Sequence, residues 1–467
     1  NKPHLIIEIV LSYGHSGCID DALTLIQRYK EECERSSCTL SPLPFYLSSY
    51  YQNLKGDKGK AIQNCNKAEQ IAQGTAFPNQ VELIVALESL LNEFEKPPMA
   101  AFELGNFYYA HGAYKRAHTL WESAVSEKPD FAPLHRNLAL SFFNKKKDKS
   151  AALQELETAF ALDTHDAQIL LELDVLAKRL NHSIESRLQR LESNKNTVMK
   201  RDDLIIAFVT LLNLSGRNDE ALDILLSHQF HPWEGGEGTL PEQYKRAKIE
   251  LAKSHIEAAQ FREAIEQLEG AKIYPRSLGE GKLPTSESDN EINFWLGFAY
   301  TKIEKPQGNT LGKKAEAALI AASEGDDTPQ ISFYYNDRPA DAIFYQALAS
   351  RVIGNESQAL RLLHRLRDYG ESHLHEHIEI DFFAVSLPDF LVFEEDLDQR
   401  NYVFCRYLIG LGCLGLGNYR SALQSMEKVT QHNTSHPGSI YTKPLISSLL
   451  TTKDTGYIEY LRKAIKL

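Results

Sequence analysis

Very little in this 467-residue sequence belongs to a recognisable catalytic signature, and the gaps narrow its function classes. There is no GxxxxGK[ST] phosphate loop and no GxGxxG opening a helix after a strand. No nucleophile, base and oxyanion set can be assembled either, so no catalytic residue is assigned and no cofactor is expected. Six cysteines are present and no two form a CxxC pair. Cys18, Cys33, Cys38, Cys65, Cys405 and Cys413 are scattered through helical pattern and read as buried or free thiols of a reducing, cytoplasmic compartment. Basic residues are in deficit, 51 Lys and Arg against 63 Asp and Glu for a net charge of −12, with no long basic run. That balance argues against a surface that tracks nucleic-acid phosphates. No stretch approaches the roughly 20 apolar residues of a membrane span. No signal peptide opens the chain, and its first residue is Asn1 rather than Met, as expected of a fragment of a longer protein.

What the sequence does contain is a helix, a turn and a second helix, written into AFELGNFYYAHGAYKRAHTLWESAVSEKP at residues 101–129. Gly105 and Ala117 are small where two helices must approach closely. Tyr108 and Trp121 supply bulk beside them at helical intervals, Ala124 leaves room for the next helix, and Pro129, lacking an amide hydrogen, stops the second helix. Leu104, Gly105, Tyr108, Ala117, Trp121, Ala124 and Pro129 fall in a frame of about 34 residues that resembles the tetratricopeptide repeat, with only the first aromatic missing. Such a pair cannot bury its own apolar face, so one strong copy implies a stack.

Weaker copies flank it. Residues 4–34 place Tyr13 and Ala22 in the two helices with Gly17 in the turn; residues 45–72 offer Gly56, Ala61 and Ala68; residues 77–94 read as one further amphipathic helix. After Pro129 the pattern returns with one inserted residue, through His135, Leu138, Ala139 and Phe142, then Ala152, Leu156 and Ala159. Residues 166–199 lack the turn glycine. Regular pairs follow around Gly216 and Ala221, around Ala252 and Ala264, and around Gly297 with a second helix about six residues late. Two more lie around Gly354 and Ala359 and around Gly410 and Ala422. The expected fold is all-α, a right-handed tetratricopeptide-like superhelix of roughly nine helix pairs with one concave face. Its expected parts are degenerate repeats at 1–97, central repeats at 98–226, and repeats with long inserts at 227–467.

Four inserts fall between a second helix and the next first helix, at 228–240, 274–290, 325–341 and 369–401. In a solenoid such connections share one edge, about 10 Å apart, so they are expected to meet in a composite surface. The first carries His231, Trp233, Glu234 and Glu237 among glycines; the third carries Tyr334, Tyr335, Asn336, Asp337 and Asp341; the fourth carries Asp389, Phe390, Asp396, Asp398 and Arg400. Aromatic faces interleaved with carboxylates suit a saccharide, since rings stack on C–H faces and acids accept hydroxyl hydrogens. The plainer alternative is that the inserts lock neighbouring repeats together, with aromatics as plugs and carboxylates as caps. Thr239 with Glu242 and Ser288 with Glu291 each have capping-box spacing. His373, His375 and His377 lie on one side of an extended strand but lack a further ligand, so they read as a surface cluster and no metal site is assigned. EEDLDQRN lacks the sixth-position glycine of a calcium loop and reads as a helix start.

FPN at Phe77, ELGNFYY at Glu103, HRNLALSFFNKK at His135, KRDDL at Lys200, HPWEGGEG at His231, YPRSLGEG at Tyr274, FYYNDRPAD at Phe333 and SLPDFLVFEEDLDQRN at Ser386 together resemble a family of bacterial proteins. In that family tetratricopeptide-like repeats follow a β-rich N-terminal domain. The resemblance covers residues 77–431, implies a bacterial origin and an association with carbohydrate metabolism, and transfers no catalytic residue. The expected function is an interaction scaffold whose concave face takes a peptide, another protein or its own N-terminal domain. The alternative is a composite pocket that binds, or with a missing N-terminal domain processes, a carbohydrate, built from His231, Trp233, Glu234, Glu237, Tyr334, Tyr335, Asp337 and Asp389. Neither nucleic acid nor membrane is expected as a partner.

Overall fold

The computed structural model describes residues 3–451 except 38, 72–76, 232, 234–235, 283–287, 305–310, 332–338 and 380–391. Every regular element among them is helical, and the chain forms two units, Asn1–Asp163 and Thr164–Leu467. No helix among the described residues is long and apolar enough to cross a membrane.

The first unit runs α1 (Pro3–His15), α2 (Ile19–Ser36), α3 (Leu43–Leu54), α4 (Lys58–Gln70), α5 (Val81–Glu93), α6 (Pro98–Ala110), α7 (Tyr114–Glu127), α8 (Ala132–Ser141) and α9 (Lys149–Leu162). Four hairpins, α1/α2, α3/α4, α6/α7 and α8/α9, stack with the single helix α5 between the second and third. A π-helical turn, Phe142–Lys146, ends α8 and absorbs the one residue by which this repeat exceeds its neighbour. In the opening repeat Ala22 is buried as expected, but Tyr13 faces solvent. The bulk comes instead from Tyr51, laid across Gly14 so closely that a Cβ there would sit 2.1 Å from its hydroxyl.

The second unit runs α10 (Ala167–Arg179), α11 (Ile184–Ser193), α12 (Lys195–Val198), α13 (Asp202–Leu214), α14 (Asn218–Ser227), α15 (Thr239–Glu257), α16 (Phe261–Gly270), α17 (Asn290–Ile303), α18 (Lys313–Ser323), α19 (Ala342–Val352), α20 (Glu356–Ser372), α21 (Leu397–Gly415), α22 (Tyr419–His432) and α23 (Pro437–Leu450). Its described residues form six hairpins followed by α23. Where the turn glycine is absent, between α10 and α11, Asn181 takes the left-handed conformation at φ 58°. Asparagine tolerates that region better than other side chains do.

One contact of the same kind fixes three of the hairpins. A Cβ on Gly105 would lie 2.4 Å from Trp121 Nε1, and one on Gly410 would lie 2.7 Å from Met426 Cε, sixteen residues on in both cases. Gly297 meets Leu319 Cγ at 2.5 Å by the same measure, at a spacing of 22 that contains the six extra residues of its turn. In that hairpin Glu304 bridges the longer connection, its carboxylate accepting the Lys314 and Ala315 N–H groups at 3.1 Å and so capping α18.

Gly105→Ala is therefore expected to destabilise the first unit by about 1–3 kcal/mol through overpacking against Trp121. Urea denaturation followed by tryptophan fluorescence measures this; an unchanged midpoint would show that the ring moves aside freely.

Candidate functional site

The first two inserts meet. The Phe230 N–H donates to Ser277 O at 2.8 Å, Ser277 Oγ donates to Leu225 O at 2.9 Å, and the Gly238 N–H donates to Glu280 Oε2 at 2.7 Å. His231 exposes its ring while its N–H donates to Asp202 Oδ2 at 2.8 Å, and the His228 ring bonds the other oxygen at 2.8 Å. Burial pushes the Asp202 carboxyl up, but these bonds prevail and hold it low. Trp233 lies against its own loop, where a Cβ on Gly236 would sit 2.0 Å from the indole Cε2. Glu237 is half-buried. Glu234, Tyr334, Tyr335, Asp337 and Asp389 lie outside the described residues.

Neither capping box forms. Gly238, at φ 77°, precedes α15, so Thr239 is already inside the helix. Ser288 Oγ instead accepts the Asn290 N–H at 3.3 Å. The three histidines of HLHEH go separate ways. His373 stacks on Tyr369 at 4.0 Å, His375 lies near Tyr402, and His377 pairs with Asp398 at 2.9 Å. EEDLDQRN does start a helix, with Asp396 accepting the Gln399 N–H at 2.9 Å at the head of α21.

Glu291 leads to a concentrated group of polar side chains among the described residues of the second unit. Arg246, Glu250 and Lys253 follow at i, i+4 and i+7 on α15 and share one stripe. Across from them, Glu291 of α17 receives Arg246 Nη2 at 3.1 Å, Lys253 Nζ at 3.2 Å and the Tyr345 hydroxyl of α19 at 2.8 Å. Glu250 takes Lys253 at 2.9 Å and Arg246 at 3.2 Å. Asp341, just before α19, accepts the Tyr407 hydroxyl of α21 at 3.3 Å, and the Arg246 guanidinium lies 4.7 Å over the ring of Tyr441 in α23. Five helices, four of them the first of a hairpin, thus send charged and phenolic groups to one face.

These groups are deep without being sealed. The Glu291 side chain keeps 14 % of its surface and Arg246 keeps 22 %. Burial works to raise the Glu291 carboxyl, yet Arg246 and Lys253 overcome it and hold it at about 2. Burial lowers the Arg246 affinity for its proton, but Glu291 and Glu250 more than restore it. Asp341 also feels Arg246, but burial together with the Glu291 charge outweighs it and pushes the carboxyl up. The same face thus shifts two carboxyls in opposite directions, Glu291 down and Asp341 up.

The α22–α23 turn of this unit is fastened to the α10–α11 hairpin. Arg187 of α11 forms a bidentate pair with Asp174 at 2.9 and 2.6 Å and donates through Nη1 to Ser435 Oγ at 2.9 Å. Thr434 donates through Oγ1 to His182 O at 3.1 Å. His436 begins α23, its Nδ1 accepting the Ser439 N–H at 3.1 Å, and burial with the Lys178 charge brings it down to about 4.

Sequence reading missed the Arg246–Glu291 group because Glu291 had been assigned to a cap. The available signal was the i, i+4, i+7 charge stripe beside buried Ala247 and Ala252 on α15.

The fold is a tetratricopeptide-like helical repeat, all-α and built of consecutive hairpins. No family model matches the chain. Among solved structures it is similar to YrrB, a TPR protein with an unusual peptide-binding site, at 15 % identity and TM-score 0.31, covering 40 % of this chain and 90 % of that one. It is similar to Naa15/Naa10 bound to HypK-THB at 12 % identity and TM-score 0.34, covering 88 % and 66 %. It is also similar to the TPR domain of P58(IPK) at 9 % identity and TM-score 0.26, covering 96 % and 99 %.

Glu291→Gln is expected to cost on the order of 3 kcal/mol at pH 7 by leaving Arg246 and Lys253 with one carboxylate between them. A carboxyl lowered in the folded state stabilises above its unfolded value, so the wild-type advantage should fade between pH 4.5 and about 2. Denaturation of both proteins across that range checks it; a constant difference would overturn the assignment. His436 is likewise lowered, from 6.5 to about 4, so its contribution is full above pH 6.5 and is lost as pH falls through that window. That loss is worth about 3 kcal/mol. His436→Gln should flatten the stability profile between those pH values.

Proposed function

We propose that this chain is a tetratricopeptide-type interaction scaffold that holds an extended segment of a partner against the face shared by α15, α17, α19 and α21. The observation that carries this reading is the convergence of Arg246, Lys253, Glu291, Tyr345 and Tyr407 from successive first helices on one recessed face that keeps some of its surface. Alternating charges beside phenol rings can pair with the amides and side chains of a peptide. His231 and Glu237 of the first insert are further contact candidates, whereas Trp233 packs on its own Gly236, and Glu234, Tyr334, Tyr335, Asp337 and Asp389 lie outside the described residues. The partner is a separate protein or an upstream β-rich domain of the same protein. The resemblance to bacterial repeat proteins supports that second option and a bacterial cytoplasm as the setting.

A saccharide is the second reading. Arg246 and Lys253 are neutralised by Glu250 and Glu291, so a neutral, hydroxyl-rich ligand suits this face better than an anion does.

The test is selection of peptides from a random display library on the purified chain, with Tyr345→Phe as the probe variant. Losing the hydroxyl while keeping the ring should weaken selected peptides about tenfold and, because that hydroxyl also donates to Glu291, lower the melting temperature without unfolding the chain. Affinity unaltered by Tyr345→Phe would remove this face from the reading. A melting shift with a mono- or oligosaccharide that disappears in Glu237→Gln would replace it with the carbohydrate reading.

A further inference from the structure

The α8–α9 turn of the first unit departs from its neighbours, and the departure concentrates positive charge. The π-helical turn Phe142–Lys146 widens the end of α8, and Lys147 continues it in the left-handed region at φ 57°. A backbone conformation of this kind in a residue other than glycine is costly, and π turns are frequent at functional sites. The result is a run of Lys145, Lys146 and Lys147, followed by Lys149, at the tip of one hairpin.

The tip of the preceding hairpin lies beside it. Lys145 Nζ sits 4.1 Å over the Tyr114 ring, Tyr114 packs edge-to-face on Tyr109 at 5.0 Å, and Lys146 Nζ is 3.8 Å from Glu122 on α7. Tyr114 is followed by Lys115 and Arg116, the latter 57 % exposed. These residues, with Gly112, Ala113 and Thr119, line an open cleft of about 570 Å³. Across residues 111–119 and 144–149 there are six Lys and Arg against one acid, Asp148, with Glu88 pairing Arg116 at 2.6 Å and Glu122 lying 3.8 Å from Lys146 from outside these turns. Asp148 is engaged at the head of α9, accepting the Ala151 N–H at 3.0 Å.

We propose that the adjoining α6–α7 and α8–α9 turns form a docking site for an acidic segment of a partner protein, on the first unit and independent of the face assigned above. The ligand is a short peptide rich in Asp and Glu. The first unit as a whole carries 17 Lys and Arg against 20 Asp and Glu, so a long polyanion such as nucleic acid is repelled beyond the patch. A segment of a few carboxylates feels only the local field, which is screened beyond about 8 Å at physiological salt. Tyr114 is the only large apolar side chain exposed at the patch, which leaves little to insert into a bilayer.

The experiment is fluorescence anisotropy of a labelled decaglutamate peptide titrated with the full chain at low and physiological salt. Binding should weaken steeply with salt, and the double variant Lys146→Glu/Lys147→Glu should weaken it by about tenfold or more. Lys115→Glu, from the other turn, should weaken it as well, whereas Lys58→Glu/Lys60→Glu at the α3–α4 turn should leave it unaltered. All these lysines are exposed, and circular dichroism confirms that the variants fold. Absence of binding, or equal loss in the α3–α4 control, overturns the proposal. So does tighter binding of a single-stranded oligonucleotide or of phosphatidylserine vesicles that depends on the same lysines.

Discussion

Close approach of two helices at a residue without a side chain is the constraint on which the rest of this structure depends. Where Gly105 faces Trp121, the indole occupies the volume that a Cβ would take, and its Nε1 reaches Phe102 O at 3.3 Å. The same opposition at Gly297 with Leu319 and at Gly410 with Met426 sets the register of hairpins far apart in the chain. Because the first helix, the turn and the second helix are locked together at this point, an inserted residue cannot shift the register. It must be absorbed elsewhere, as a π turn at 142–146 or as a longer connection bridged by Glu304.

That rigidity allows the second unit to hold charges in a recess. Arg246, Lys253, Glu250 and Glu291 would be expensive to desolvate singly, and together they satisfy one another from two helices, with Tyr345 donating from a third. Two neighbouring carboxyls are driven in opposite directions for physical reasons visible in the geometry. Glu291 has two cations and falls, while Asp341 is raised by burial and by the Glu291 charge, against the weaker pull of Arg246 and the Tyr407 hydroxyl. Retained surface at the face, absent from the sealed Arg187–Asp174 pair of the same unit, is the basis for reading it as a place of recognition. The inserts contribute differently from their composition: Trp233 is spent on Gly236 of its own loop, and the first two loops are stitched to each other by backbone.

Legibility fell off with the range of the interaction. Repeat units were readable because their determinants are local and periodic, as with Ala117, Trp121 and Ala124, all buried where expected. Tyr13 misled because a large residue at the right spacing can face either way, and the choice depended on Tyr51 in the next hairpin. Ser288 and Glu291 had the spacing of a capping box, but the carboxylate found stronger partners in cations more than thirty residues earlier. A spacing rule counts neighbours along one helix and cannot weigh them against a guanidinium on another.

The sequence by itself determined the fold class, the position of most hairpins, the four inserts and the start of α21 at Asp396, because packing within a hairpin and capping of a helix are decided by residues a few turns apart. Only the tertiary structure decided which first-helix side chains share a face, how the insert at 228–240 meets that at 274–290, and that Ser435 returns to Arg187. Those outcomes are sums of small rotations from one repeat to the next. No local pattern encodes such a sum, so residues nearly two hundred positions apart, such as Arg246 and Tyr441, come together without any sign of it in their own surroundings.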